Sequence, residues 1–229
     1  MKNFSLAAAA VALVAASPAQ ALLVDTDAGF ADAMVITFDS YDGFVPAAPE
    51  DVGMAEIGMP VLLSGSRDIE IGAVARDLGE NGLWGARDGT PTPTGSGNFV
   101  ATLFELPRGE LGFSLASPVA GIGAYMNQFQ VAGVTNSFTV LAYDMDGNTL
   151  ESYTVSIDTD AFGYNEGRFV GIHREAADIW GFGIAGNNVS LDDLTLTTTP
   201  VPEAGTLGMM ASGLGLVGWL AARRRRTAR

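Results

Sequence analysis

Apolar positions recur along the chain in short runs that are bounded by clusters of Gly, Pro, Asn and Asp. Within such runs apolar and polar residues often alternate. Tyr153, Val155 and Ile157 occupy the odd-numbered positions of one run, and the hydroxyl residues between them occupy the even-numbered positions. This period is typical of an antiparallel strand with one buried face. It predicts strands near 34–39, 69–75, 98–105, 110–116, 119–126, 137–144, 149–157, 168–172, 179–185 and 190–198.

The number and spacing of these strands indicate the fold class. About ten short strands within one domain's length of chain favour an all-β fold, a two-sheet antiparallel sandwich of the jelly-roll kind. No segment between the two ends of the chain has a convincing helical stripe. We therefore expect residues 22–200 to form a single β-sandwich domain.

Residues 1–21 have the three parts of a secretory signal peptide. Lys2 supplies a positive charge, residues 4–16 are apolar, and Ala19-Gln20-Ala21 provides the small residues that signal peptidase requires, with cleavage before Leu22. A retained membrane anchor is the alternative. The short apolar stretch and the cleavage site disfavour it, because a membrane span needs about 20 apolar residues.

Residues 201–229 form a second signal at the other end of the chain. The motif Val201-Pro202-Glu203 precedes an apolar run over 207–222, and the cluster of Arg223, Arg224, Arg225 and Arg226 follows it. We expect the run to be a single transmembrane helix whose arginines stay on the cytoplasmic side of the membrane. A buried helix of a soluble domain is the alternative, which the adjacent arginines disfavour.

This tail resembles the PEP-CTERM sorting signal of Gram-negative bacteria, with Ala204 in the place of the second proline of the Val-Pro-Glu-Pro motif. The resemblance covers only about the last 30 residues. It implies that an exosortase processes the chain while the tail anchors it in the inner membrane. It also implies delivery to the cell surface or to the extracellular polysaccharide matrix.

Charge narrows the function classes of the domain between the two signals. Of the 26 acidic residues all except Glu203 lie in residues 22–200, against six arginines and no lysine, which leaves a formal charge of −19. Such a charge repels phosphates and excludes nucleic acid as a partner. The chain has no cysteine, which excludes disulfides, thiolate metal sites and thiol catalysis.

Two acidic clusters are candidate calcium sites. Asp144 and Asp146 precede Gly147-Asn148 between two predicted strands, and hard oxygen ligands on a sharply turning loop suit calcium. The same residue types are those of a tight hairpin turn, which is the stronger interpretation. By strand parity Asp192 is expected to point with Leu194 and Leu196 toward the core.

A carboxylate on an apolar face needs a partner or a metal, so Asp192 is a candidate calcium ligand with Asp39 as its companion. A solvated acidic strand end is the alternative. The stretch from Phe169 to Asp193 resembles the closing part of jelly-roll carbohydrate-binding domains, in which terminal strands share such a cation. The resemblance implies an association with carbohydrate.

Aromatic residues on loops are candidates for binding sugar rings. Trp84 lies in a glycine-rich stretch predicted to be a surface loop, with Arg87 and Asp88 nearby to hydrogen-bond hydroxyl groups. The alternative is that Trp84 fills the edge of the sandwich. Trp180, between apolar residues, is predicted to lie in the core.

Catalysis has little support in the sequence. His173 is the only histidine, and it is expected at the surface at a strand end. The run Gly112-Phe113-Ser114-Leu115-Ala116 lacks the second glycine and the helix of a nucleophile elbow.

We therefore expect a non-enzymatic, exported surface or matrix protein that associates with exopolysaccharide and is stabilised by calcium. A purely structural matrix protein without a defined ligand is the alternative. A glycosidase that uses two of the carboxylates is a distant third.

Overall fold

The computed structural model describes residues 22–43, 45–65, 69–73, 99–102, 109–128, 137–156, 168–186 and 189–200. The predicted signal peptide, the loop with Trp84, Arg87 and Asp88, and the sorting tail with its predicted transmembrane helix lie outside these residues. Within the described ranges no helix is long and apolar enough to cross a membrane.

The described elements are almost all strands, as the alternating pattern predicts. They are β1 Leu22–Val24, β2 Met34–Ile36, β3 Glu50–Asp51, β4 Val61–Gly65, β5 Ile69–Ala73, β6 Phe99–Thr102, β7 Gly109–Val119, β8 Gly121–Gln128, β9 Phe138–Tyr143, β10 Thr149–Val155, β11 Arg168–His173, β12 Ile179–Gly186 and β13 Val189–Thr197. One short helix, α1 Met54–Ile57, and one 3-10 turn, Asp27–Gly29, complete the set. The short strands β1, β3 and β4 are the ones that the sequence pattern missed.

The strands form two antiparallel sheets that pack face to face. Sheet A has the order β1-β11-β8-β13-β6-β5, with β2 also paired to β13, and sheet B has the order β10-β9-β12-β7-β4-β3. The inward residues of both sheets make one apolar core, which includes the fully buried Ile122, Leu196, Val140 and Phe182. The predicted all-β sandwich is thereby confirmed for the described part of the chain.

The outer faces of the two sheets differ. β1 pairs with β11 and β2 pairs with β13, so residues 25–33, which we call the strap, cross the outer face of sheet A. Phe30 of the strap is buried there, with its ring 5.4 Å from that of Phe169 and 5.1 Å from that of His173. The strap thus gives sheet A a second, smaller apolar layer.

Sheet B carries exposed residues on its outer face. Leu62 and Ser64 of β4 and Ser114 of β7 are exposed. Gly181 and Gly183 of β12 are buried on this sheet, and the side chain of Tyr143 lies against them. The outer face of sheet B is therefore open to solvent along β4 and β7.

Candidate functional site

The outer face of sheet B contains a cleft of about 310 Å³ at one end of the sandwich. β7 borders it on one side and the turn between β9 and β10 on the other, while the beginning of β12 lies at its base. Tyr143 and Trp180 supply its aromatic surface, and Asp144 and Ser114 supply polar groups. Aromatic, hydroxyl and carboxylate groups thus converge on one cavity.

Tyr143 is held in a defined position in this cleft. Its hydroxyl donates a hydrogen bond to Oε1 of Glu110 on β7 at 3.2 Å, so the side chain reaches across β12. A Cβ atom on Gly183 would lie 2.9 Å from Cε2 of Tyr143, which shows how closely the ring covers that glycine. Partial burial, and then the charge and hydrogen bond of Glu110, raise the pKa of Tyr143. The Tyr143 hydroxyl is therefore protonated, and the ring is held in one orientation.

Trp180 lies on the cleft because β12 is irregular where it begins. The register between β12 and β7 shifts between Ile179 and Gly181, and Ile179 and Phe182 are both fully buried although they are three residues apart. Trp180 is consequently half-buried and lines the cavity. The prediction that Trp180 belongs to the core is wrong, because simple alternation cannot anticipate a bulge.

The turn that borders the cleft accounts for the first acidic cluster. The carboxylate of Asp144 accepts hydrogen bonds from the backbone N–H groups of Asp146 and Asn148 at 2.9 and 2.8 Å, and from the Asn148 amide at 2.9 Å. Gly147 has φ +80°, which favours glycine. The Asn148 amide, followed by the backbone N–H groups, lowers the pKa of Asp144. The hairpin-turn interpretation explains this geometry.

The second acidic cluster departs from its predicted geometry. Asp193 has φ +50° and the register of β13 against β8 shifts between Asp192 and Thr195, so strand parity changes at this point. Asp192 pairs with Tyr125, whose hydroxyl contacts Asp27 of the strap at 3.3 Å. Asp192 therefore faces the strap, and the prediction that it points with Leu194 toward the main core is wrong.

Asp192 is nevertheless fully buried, so the solvated strand end is also wrong. Its Oδ1 accepts the backbone N–H of Asp193 at 2.7 Å. Asp39 is exposed, three residues beyond the end of β2. In the described part of the chain no group of three or more Asp, Glu or His side chains is placed to hold a metal ion. Calcium at Asp39, Asp192, Asp144 or Asp146 stays a prediction.

His173 has a structural position. It is 4% exposed, its Nε2 lies 2.8 Å from the carbonyl oxygen of Thr199, and its backbone pairs with Leu22. The expectation of a surface histidine is wrong, because the strap covers this strand end. His173 thus joins the first strand of the domain to the residues that lead into the sorting tail.

The predicted glycan-binding residues Trp84, Arg87 and Asp88 lie outside the described residues. The residues of the cleft that sequence reasoning missed are Tyr143 and Trp180. A signal for Tyr143 exists in its position directly before the turn-forming segment Asp144-Met145-Asp146-Gly147-Asn148, which places it at the end of a strand. No comparable local signal marks Trp180.

Comparison with known proteins identifies a sorting motif in the C-terminal residues of the chain. No curated protein matches the chain. Among solved structures, the chain is similar to the K2 cleaved adhesin domain of Lys-gingipain, with a TM-score of 0.40 and 14% sequence identity over 73% of this chain and 99% of that one. A family model, the PEP-CTERM protein-sorting motif, matches residues 200–226. The chain is an exported protein that carries a PEP-CTERM sorting motif, which implies processing by an exosortase and sorting at the cell surface.

Proposed function

We propose that this protein binds polysaccharide at the cell surface, without catalysis, through the cleft of Tyr143 and Trp180. The observation that carries the proposal is the convergence of two aromatic side chains, the Ser114 hydroxyl and the Asp144 carboxylate on one cavity of the open sheet face. A sugar ring has an apolar face and a polar edge. It is therefore matched by an aromatic surface with hydrogen-bonding groups at its rim.

The shape of sheet B supports a chain-like ligand. Gly112 and Ser114 of β7 line the cleft, and the exposed Ser64 and Leu62 of β4 lie opposite them in the antiparallel register, so the exposed face continues from the cleft onto β4. Tyr143 is already fixed by its hydrogen bond to Glu110. An oriented ring loses little conformational entropy on binding, which favours affinity.

The purely structural alternative needs no such cleft. A matrix protein without a ligand tolerates the replacement of Trp180, because this residue is only half-buried and the core residues beside it stay in place. The binding function and the structural function therefore predict different results for the variant Trp180→Ala. Loss of polysaccharide binding in Trp180→Ala with unchanged unfolding supports a binding site at the cleft, and absence of binding by the unmodified protein supports the structural role.

The test is affinity gel electrophoresis of the full chain in a mild detergent, with dextran, laminarin, alginate or chitosan in the gel. We expect at least one of these polysaccharides to retard the protein and Trp180→Ala to abolish the retardation. Trp84→Ala is the matched control, since it removes the tryptophan that the sequence suggested. Retardation lost only in Trp84→Ala would move the site to the glycine-rich loop, and no retardation by any polysaccharide would refute the proposal.

Calcium stabilisation is the second part of the proposal, and its support is the burial of the Asp192 carboxylate. Its Oδ1 accepts the backbone N–H of Asp193, and carboxylate oxygens are ligands that calcium prefers. We expect millimolar calcium to raise the unfolding temperature, and Asp192→Asn to remove the rise. Asp146→Asn is the control for the exposed turn: a rise that disappears only there would assign the ion to Asp144 and Asp146. No rise in the unmodified protein would refute the calcium part alone.

A further inference from the structure

The walls of the cleft carry negative charge and aromatic surface together. Asp144 lines the cavity, and Glu110 lies at the hydroxyl end of the Tyr143 ring. The hydrogen bonds of the turn lower the pKa of Asp144, so this carboxylate is ionised at neutral pH. Within the turn this carboxylate accepts hydrogen bonds from the Asn148 amide and from backbone N–H groups, most of them at Oδ1. Its Oδ2 accepts from the Asn148 amide, and Asp144 lines the cleft.

The arginines among the described residues form ion pairs outside the cleft. Arg174 is buried and pairs with Glu151 and Asp178, and Arg168 pairs with Asp25 of the strap. Neither arginine lines the cleft. A uronic acid or a sulfated sugar placed there would thus meet carboxylates without a compensating charge from the described residues, and the domain as a whole would repel it.

An ammonium group has the complementary properties. Aromatic faces attract cations through the ring quadrupole, and a carboxylate forms a charge-assisted hydrogen bond with an ammonium donor. Tyr143, Trp180 and Asp144 offer both within one cavity. We propose that the cleft selects a polysaccharide with free 2-amino sugars, and that the ammonium group lies at Asp144 between the two aromatic side chains. This inference rests on the proposed function and specifies its ligand.

The experiment compares three hexasaccharides with the full chain in detergent and a chelator: the glucosamine hexamer, the N-acetylglucosamine hexamer and an oligoguluronate. The first two differ in the charge of the amino group and in the acetyl group. Isothermal titration calorimetry is expected to show about ten-fold tighter binding of the glucosamine hexamer than of its acetylated form, as one charge-assisted contact provides. The oligoguluronate is expected not to bind.

Two variants, each of which replaces a carboxylate by a carboxamide, test which carboxylate binds the ammonium group. Asp144→Asn should reduce glucosamine binding about ten-fold and remove the preference over the acetylated form. Asp146→Asn makes the same charge change in the same exposed turn but outside the cleft lining, so it should retain the preference. Unfolding of both variants by urea checks that the turn is intact.

The possible outcomes separate the two proposals. Equal binding of both hexamers, or tighter binding of the acetylated one, would overturn the ammonium inference and leave polysaccharide binding standing. Glucosamine binding that survives both Asp144→Asn and Trp180→Ala would indicate general attraction to an acidic protein, and would also overturn the inference. Binding of none of the hexamers here, together with no retardation in the gels, would refute the proposed function itself.

Discussion

Glu56 of α1 determines the backbone conformation at the end of β2. Its Oε2 accepts hydrogen bonds from the backbone N–H and the hydroxyl of Thr37 at 2.6 and 3.0 Å. Its Oε1 accepts the N–H of Phe38 at 3.2 Å and the hydroxyl of Ser40 at 3.4 Å. Phe38 is fully buried yet has φ +60°, a region that costs a side-chain-bearing residue about 1–2 kcal/mol. One carboxylate thus holds a strained residue in the core.

Glu56→Gln removes the charge and one of the two acceptor oxygens without changing the volume. The oxygen that remains can serve the Thr37 pair, whereas the new NH₂ group faces the N–H of Phe38 and cannot accept from it. A hydrogen bond to a charged group contributes about 1.5–3 kcal/mol. We therefore expect the free energy of unfolding to fall by about 2 kcal/mol, and the unfolding temperature to fall by about 4–8 °C.

The assay is urea unfolding followed by circular dichroism, with Glu50→Gln as the control. Glu50, on β3, is a half-buried carboxylate of the same acidic region, and both Glu50 and Glu56 contribute to the raised pKa of Tyr41 after the larger effect of burial. A general effect of negative charge would change both variants alike. A loss below about 0.5 kcal/mol in Glu56→Gln, or an equal loss in the control, would refute the view that Glu56 holds the Phe38 conformation.

Three further predictions follow from single residues. Gly183→Ala places a methyl group against the ring of Tyr143. We therefore expect weaker polysaccharide binding in this variant, with an unfolding free energy close to that of the unmodified protein. Unchanged binding would contradict the role of the Tyr143 ring in the cleft. Gly147→Ala forces alanine to φ +80° and should lower the unfolding free energy by about 1 kcal/mol in urea, whereas Gly29→Ala, which has open space and no such φ, should not. Burial raises the pKa of Asp51, but three backbone N–H bonds outweigh it and lower the pKa below 3.8. The Asp51 contribution to stability is therefore present above that pH and is lost as the pH falls through the lowered value, and the acid dependence of urea unfolding should be weaker in Asp51→Asn.

The positions of most strands are predictable from the sequence because they depend on a local property. Along β9 the buried Phe138, Val140 and Ala142 alternate with less buried residues, and this period of two is visible in the residue types themselves. β1 and β3 were missed because a run of two or three residues is too short to show a period. The sorting motif is predictable for a similar reason, since its parts are contiguous in the chain.

The site depends on information that no local pattern contains. The bulges at Ile179–Gly181 and Asp192–Thr195 each exchange the inward and outward residues of a strand, which moved Trp180 to the cleft and turned Asp192 toward the strap. The partners of these side chains are distant in the chain: Tyr143 meets Glu110 of β7, and Tyr125 meets Asp27 of the strap. The sequence by itself determined most of the segments that become strands and the sorting motif that directs the protein to the cell surface. Tertiary structure alone decided which residues share a surface, because one inserted residue in a strand changes the face of the residues that follow it.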